Sequence, residues 1–311
     1  MIRTDLALEA QELYRENAKK EAEIDGVETE ISRTGNVSVT KIQITNEHGA
    51  AALGKSIGSY VTIEAPDLKF NEQDYEAACQ LAAEAIREML SPKPEQVTLV
   101  VGLGNRDVTP DALGPCAVDR LMITTHMKKH MPEYVDETLG SVCAIIPGVL
   151  GTTGLESSEI VGGVVQSVKP DAVIAIDALA ARNPDRLSTT IQIGNTGICP
   201  GSGIGNHRGG LSEEALGVPV IAIGIPTVID AATIVQDAVS GIVQEIEQAK
   251  ISEAERENLI SGAFSQTIEQ MIVTPRDVDL IIERAAKTVA NSINLALHRD
   301  LTFADIENYV G

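Results

Sequence analysis

Four short runs of nearly unbroken aliphatic residues constrain what this chain can fold into: QVTLVVGL (96–103), SVCAIIPGV (141–149), DAVIAIDAL (171–179) and VPVIAIGIP (218–226). Near-continuous apolar runs are the mark of strands buried on both faces of a parallel sheet. Helical patterns separate them, over 111–130 and over LESSEIVGGVVQSV (155–168). Strand alternating with helix predicts an α/β fold, a mainly parallel twisted sheet with helices on both faces. Its core must come from Val, Ile, Leu and Ala, because the chain is 43% hydrophobic but only 3% aromatic, with no Trp.

The first ninety residues follow other periods. Leu6–Glu23 reads as a helix, with apolar residues at helical spacing among strong helix formers. TEISRTGNVSVTKIQIT (29–45) and GSYVTIEA (58–65) alternate apolar and polar residues, which predicts a small antiparallel N-terminal sheet turned at Thr34-Gly35-Asn36. NEQDYEAACQLAAEAIREML (71–90) is an amphipathic helix that Asn71 would cap. Three long helices close the chain. A stripe on the C-terminal one, Val278, Ile281, Ile282, Ala285 and Val289, suits either the core or a subunit interface. No internal repeat or low-complexity linker divides the sequence, so one domain is expected.

Charge and cysteines narrow the partners. A net charge of −21 would be repelled by DNA phosphates and anionic membranes, so neither nucleic acid nor membrane is expected as a partner. There is no secretory signal and no apolar run long enough to span a bilayer, which places the chain in the cytosol. Cys79, Cys116, Cys143 and Cys199 lie far apart without metal-ligand spacing and read as reduced, buried, inert thiols.

The glycines of VVGLGNRDVTPDALGP (100–115) resemble a phosphate-cradling turn, but Asp107 stands where a dinucleotide fingerprint needs its third glycine, and no Lys-Ser/Thr pair follows. What the loop presents instead is Asp111, at the carboxyl end of a strand, where open α/β sheets place their sites. The loop after Ile146 brings Gly148, Gly151, Thr152, Thr153 and Gly154, then Glu156 and Glu159 in a first helical turn. Asp177 ends the apolar run 172–176. If these strands are adjacent and parallel, the three loops meet. A carboxylate there is costly unless paired or used, although a turn or helix cap is the plainer role for either Asp. As a pair, Asp111 and Asp177 leave two chemistries open. They could share one proton and activate water, or hold a divalent metal that does so.

Other polar residues decide less. His126 and His130 stand i, i+4 without a Glu beside His126, which suits a solvated helix face better than a zinc protease motif. His48 and His298 are isolated. A Gly-rich loop (197–210) carries His207 and could wall a substrate site or bring a general base. No G-x-S-x-G elbow exists to support an α/β-hydrolase triad.

With these residues in view, the chain resembles the spore germination proteases, endopeptidases that degrade small acid-soluble spore proteins. The likeness covers nearly the full length and is carried by five blocks in order: VVGLGNRDVTPDALGPCAVD, IPGVLGTTGLESSEIV, PDAVIAIDALAAR, ICPGSGIGN and LGVPVIAIGIPTVIDA. The first block is also similar to the hydrogenase-maturation endopeptidases, which share a Gly-x-Gly-Asn opening and an α/β fold. The main resemblance implies an atypical aspartic-type peptidase dependent on two aspartates, here Asp111 and Asp177. No cofactor is expected, with a divalent metal bridging the two aspartates left open. It further implies a zymogen, a homotetramer, small acid-soluble DNA-binding proteins as substrates, and action in the spore core during germination. The chain departs from the family in a compact 231–273 segment and a very short pre-sequence.

The family's cleavage preference is an acidic residue, then a hydrophobic one, then alanine. RTDLALE offers Asp5, Leu6 and Ala7 in that order, with Ile2 where a further acidic residue is expected. Residues 1–5 would then be a short propeptide and 6–311 a single peptidase domain. The cut between Asp5 and Leu6 would fall at a terminus expected to make few contacts. Two other readings are a maturation endopeptidase for a metalloenzyme and a non-enzymatic nucleotide or regulatory module. The two aspartates and the TDLA stretch speak against the last.

Overall fold

The alternating segments of the N-terminal third pair as their period requires. β1 (Val27–Thr34) and β2 (Val37–Ile44) run antiparallel, closed at Gly35-Asn36 with Thr34 opposite Val37. In this computed structural model, residues 4–18, 23–93, 95–199, 209–246 and 271–310 are described. β3 (Gly58–Glu64) extends the ladder, and β7 (Thr190–Gly194) joins β3 antiparallel, with Thr62 opposite Gln192. β7 then pairs antiparallel with β8 (Val220–Asp230), where the parallel half begins. That half contains β8, β6 (Ala172–Ala181), β4 (Val97–Gly102) and β5 (Ser141–Ile145). A short β9 (Ile272–Val273) pairs with the far end of β8.

The α/β class therefore holds, but the sheet is one mixed sheet, in the order β1-β2-β3-β7-β8-β6-β4-β5 with β9 on β8. The antiparallel strands do not form a separate sheet. β7 satisfies the edges of both β3 and β8 and fuses the halves, as a buried strand edge demands. Parallel order is confined to the half that carries the site. At the far edge, β1 is solvent-exposed and charged (Glu28, Glu30, Arg33), which discourages edge-to-edge association.

Helices cover both faces. Asn71 caps α3 (Glu72–Leu90), its side chain accepting from Gln73 N at 2.9 Å. α3 and the long helix Val278–Leu297 pack on one face against Ile174, Ile176, Ile221 and Ile223. Ile282, Ala285 and Val289 are buried in that layer, Val278 packs against it and Ile281 is buried as well, so the stripe is explained by the core. α7 (Ser157–Val168) covers the other face, with Val161 and Val165 on Leu99, Val101, Val173 and Ala175. The helix expected over 111–130 is broken into a 3₁₀ turn (Thr109–Asp111), α4 (Leu113–Val118) and α5 (Thr125–His130). Between α4 and α5 the backbone finds partners elsewhere: Met122 N donates to Asn294 Oδ1 and Thr124 N to the Val142 carbonyl, both at 3.0 Å.

α1 (Ala7–Ala18) is tied down through charge; residues 19–22 of the expected helix lie outside the described residues. Glu9 is 1% exposed. It accepts from the backbone N–H groups of Arg182 at 2.7 Å and Asn183 at 2.8 Å, with the Arg186 guanidinium 3.4 Å away. Arg186 also grips Glu12 with two bonds (2.6 and 2.7 Å) and Glu64 at 2.9 Å. Removing the cation would leave buried carboxylate without its counter-charge. Arg186→Met is therefore expected to lower stability by about 3–5 kcal/mol in urea unfolding. A loss of only about 1 kcal/mol, typical of a surface pair, would show that the backbone donors alone hold Glu9.

Candidate active site

β6 and β4 part company at the site. β4 pairs with β6 only as far as Gly102 opposite Ile176, and Leu103 N makes the last bond, to the Ile176 carbonyl at 2.9 Å. β6 continues beside β8 to Ala181, so its last five residues, 177–181, have one edge that β4 does not cover. Asp177, expected at a strand end, is instead the sixth of ten strand residues, at the point where this edge opens. Side chains two apart share a sheet face, which groups Asp177 with Ala175 behind it and Leu179 and Ala181 ahead. The Asp177 side chain is nearly inaccessible, and its Oδ1 accepts from Ala178 N at 2.9 Å. Burial, and then the charges of Asp111 and Asp5, push its carboxyl well above the ordinary carboxylate range.

Asp111 is delivered by the loop after β4. Gly104 has φ +110°, and a Cβ there would lie 2.0 Å from the Asp111 carbonyl oxygen. Only glycine lets the chain fold back so closely. Asn105 N then donates to both Asp111 O (3.1 Å) and Asp111 Oδ2 (2.8 Å), and Thr227 Oγ1 pins the turn to β8 through the Pro110 carbonyl at 2.7 Å. The glycines of this motif serve an aspartate rather than a phosphate.

Across the sheet, Gly224 on β8 stands in register with Asp177, and Gln192 on β7 stands in register with Gly224. Residues in register project to the same face, so Asp177 and Gln192 flank a glycine at two strand spacings, about 10 Å. A Cβ on Gly224 would lie 2.6 Å from both the Asp177 carbonyl oxygen and Leu179 Cγ. Asp5, Lys55, Asp111, Asp177, Gln192 and Gly224 line one cavity of about 1570 Å³.

The N-terminal stretch runs through this opening. Asp5 N donates to the Ala180 carbonyl (2.9 Å), and Ala180 N donates to Asp5 Oδ2 (2.8 Å), so residue 5 takes the edge of β6 that β4 leaves. The Asp5 carbonyl accepts from Gln192 Nε2 (2.8 Å) and Lys55 Nζ (2.9 Å), and Ala7 N donates to Gln192 Oε1 (2.6 Å). Leu6 is fully buried against Leu179, Ala181 and Ile198. A terminus expected to be loosely held is instead bonded on both sides, because the overhanging strand and the Gln192 amide supply the partners an extended backbone lacks. Lys55 follows α2 (Glu47–Leu53), whose C-terminal Gly54 (φ +61°) turns the chain toward the cleft. Burial lowers its ammonium pKa, while Asp5 and Glu9 resist that shift.

Other expected candidates lie elsewhere. His48, His126 and His130 are exposed. Glu156 and Glu159 begin α7 in a reciprocal cap, with Glu156 N donating to Glu159 Oε2 at 3.0 Å. His298 is buried against the Met122 carbonyl, and burial lowers its pKa to about 4. Of the cysteines, Cys79 is buried, its thiol pushed up to about 12, but Cys199 is exposed. His207 and most of the Gly-rich loop lie outside the described residues. Among the described residues, no group of three or more His, Cys, Asp or Glu side chains could hold a metal.

The family model described as germination protease matches residues 7–250. The chain belongs to the germination protease family. Germination proteases of Caldanaerobacter subterraneus subsp. tengcongensis (46% identical; 97% of this chain, 95% of the relative) and Clostridium tetani (42%; 99% of both) align along almost the whole length. That of Priestia megaterium is 40% identical over 99% of this chain and 96% of its own. As a member of the germination protease family, the chain is a protease and hence a hydrolase. No helix among its described residues is long and apolar enough to cross a membrane.

Sequence reading missed Lys55, Gln192, Gly224 and the Ala180 backbone. Gln192 is one polar residue in an alternating strand and Lys55 one of many surface-type lysines. Their convergence exists only once β7, β8 and β6 are neighbours. The raised pKa of Asp177 has a testable consequence for this germination protease. In the unfolded chain the carboxyl ionises near 3.9, whereas in the folded chain it holds its proton to higher pH. Its contribution to stability is thus complete below about pH 4 and lost as pH rises through the folded value. Asp177→Asn should unfold at higher denaturant concentration than the wild type at pH 7, with the gap closing as pH falls toward 4. A gap independent of pH would refute the buried, protonated carboxyl.

Proposed function

We propose that this germination protease is a self-processing endopeptidase in which Asp111 and Asp177 hydrolyse the peptide bond after an acidic residue. The observation that carries the reading is the Asp5–Leu6 peptide bond in the cleft that both carboxylates line. The acidic side chain before the bond is met by Ala180 N, and the apolar one after it fills a pocket of Leu179, Ala181 and Ile198. That pairing matches the cleavage preference implied by the family resemblance.

In this reading the pair holds one proton. Asp111 takes a proton from the attacking water, and Asp177, whose burial keeps it protonated, delivers its own to the leaving nitrogen of Leu6. The pair works without a resident metal or cofactor. Residues 1–5 form the propeptide that occupies the substrate's place, and 6–311 form the peptidase domain. Small acid-soluble DNA-binding proteins of the spore core are the substrates during germination; their backbone would add to the same β6 edge after the propeptide leaves. The working form is a homotetramer, whose interfaces would cover exposed apolar side chains such as Phe70, Leu280 and Tyr309.

Mass spectrometry after incubation at mildly acidic pH should show loss of the first five residues in the wild type and an intact chain in Asp111→Asn and Asp177→Asn. Processing should accelerate as pH falls below neutral, while the pair still retains one proton. A chelator should leave the rate unchanged; a rate abolished by chelator and restored by a divalent cation would replace the shared-proton reading with a metal-bound water. Light scattering showing a monomer at micromolar concentration would remove the tetramer.

A further inference from the structure

The Asp5 carbonyl oxygen receives two side-chain donors at once, Lys55 Nζ at 2.9 Å and Gln192 Nε2 at 2.8 Å. The orientation of the Gln192 amide is fixed by its neighbours, since Oε1 must face the Ala7 N–H (2.6 Å) for Nε2 to face Asp5. Lys55 is fixed as well, with a second bond to the Thr4 carbonyl at 3.3 Å. A neutral amide and an ammonium fill both lone-pair positions of one peptide oxygen. They suit an oxygen that becomes negatively charged.

We propose that Lys55 and Gln192 are catalytic residues that stabilise the oxyanion formed when the bond after Asp5, or after the corresponding acidic residue of a protein substrate, is hydrolysed. This inference rests on the reading of Asp5–Leu6 as the bond that is cut. Water oxygen bonds to the Asp5 carbonyl carbon while one of its protons passes to Asp111. The carbonyl π pair moves onto oxygen, between Lys55 and Gln192. On collapse the C–N bond breaks, and the Leu6 nitrogen takes the Asp177 proton. One water is consumed, a carboxyl and an amine result, and the aspartate pair still holds one proton. In a slot where Leu6 is fully buried, a fixed cation acts more strongly on developing charge than it would in water.

The competing role is tethering, in which Lys55 and Gln192 merely seat the terminus. The full-length chain separates the two, because processing of a seated terminus is a first-order event whose seating can be read by hydrogen exchange at the Ala7 amide. In Lys55→Met, oxyanion stabilisation predicts a rate constant about 100- to 1000-fold lower, with Ala7 protection retained. Lys55→Arg should recover part of the rate. Gln192→Glu, which keeps an acceptor for Ala7 N but loses the donor to Asp5, should also be slowed with the amide still protected. A Lys55→Met rate equal to that of the wild type, or one reduced only in proportion to lost Ala7 protection, would overturn the proposal while leaving self-processing intact. A wild-type chain that keeps its first five residues would overturn the parent reading and this one with it.

Discussion

β6 outruns β4 by residues 177–181, and the backbone groups along that overhang must find partners. β8 supplies them on one side; on the other, the chain's own N-terminal stretch does so through Asp5 and Ala180. The mismatch in strand length is the constraint from which the site follows. It opens a sheet edge beside Asp177, and it turns the β4 loop away so that Asp111 enters the same cleft. It also creates a place for an extended peptide. The cost of unsatisfied backbone in a buried setting makes occupation of that edge favourable.

The charges in the cleft would not coexist in water with the same protonation. Asp5, Asp111 and Asp177 are gathered around one cavity with Lys55 as a neighbouring cation. Burial and two neighbouring carboxylates push the Asp177 carboxyl well above the ordinary carboxylate range, while Asp5 and Glu9 oppose the loss of charge from Lys55. In the proposed function, a carboxyl that holds its proton to higher pH beside an aspartate, and a cation facing a carbonyl, are the groups that acid–base hydrolysis of a peptide uses. None of them arises from residue type alone; each is set by depth and by the groups opposite.

In the proposed function, the contacts that hold the terminus are also those that present it for cleavage. The buried Glu9, bonded to the N–H groups of Arg182 and Asn183 just after the β6 overhang and faced by Arg186, fixes the start of α1. That anchor holds the helix that follows Leu6 and Ala7. In the proposed function, cleavage would free residues 1–5 without unseating α1, and the edge they vacate would become the substrate's.

The sequence alone determined the strands and most of the helices, because two-residue and 3.6-residue periods are local properties of the chain. It also singled out Asp111, in a glycine-bearing loop after an aliphatic strand, and Asp177, which interrupts an aliphatic run; both are conspicuous in one dimension. The tertiary structure alone decided that β7 fuses two half-sheets, because pairing depends on which edges remain unsatisfied after the helices pack. It decided that the segment between 111 and 130 breaks, because Asn294 and Val142 outbid the helix for its N–H groups. It seated a terminus that sequence position marks as loose. It also brought Lys55 and Gln192 to one carbonyl oxygen, since residues so far apart in the chain share a site only when three neighbouring strands hold their register.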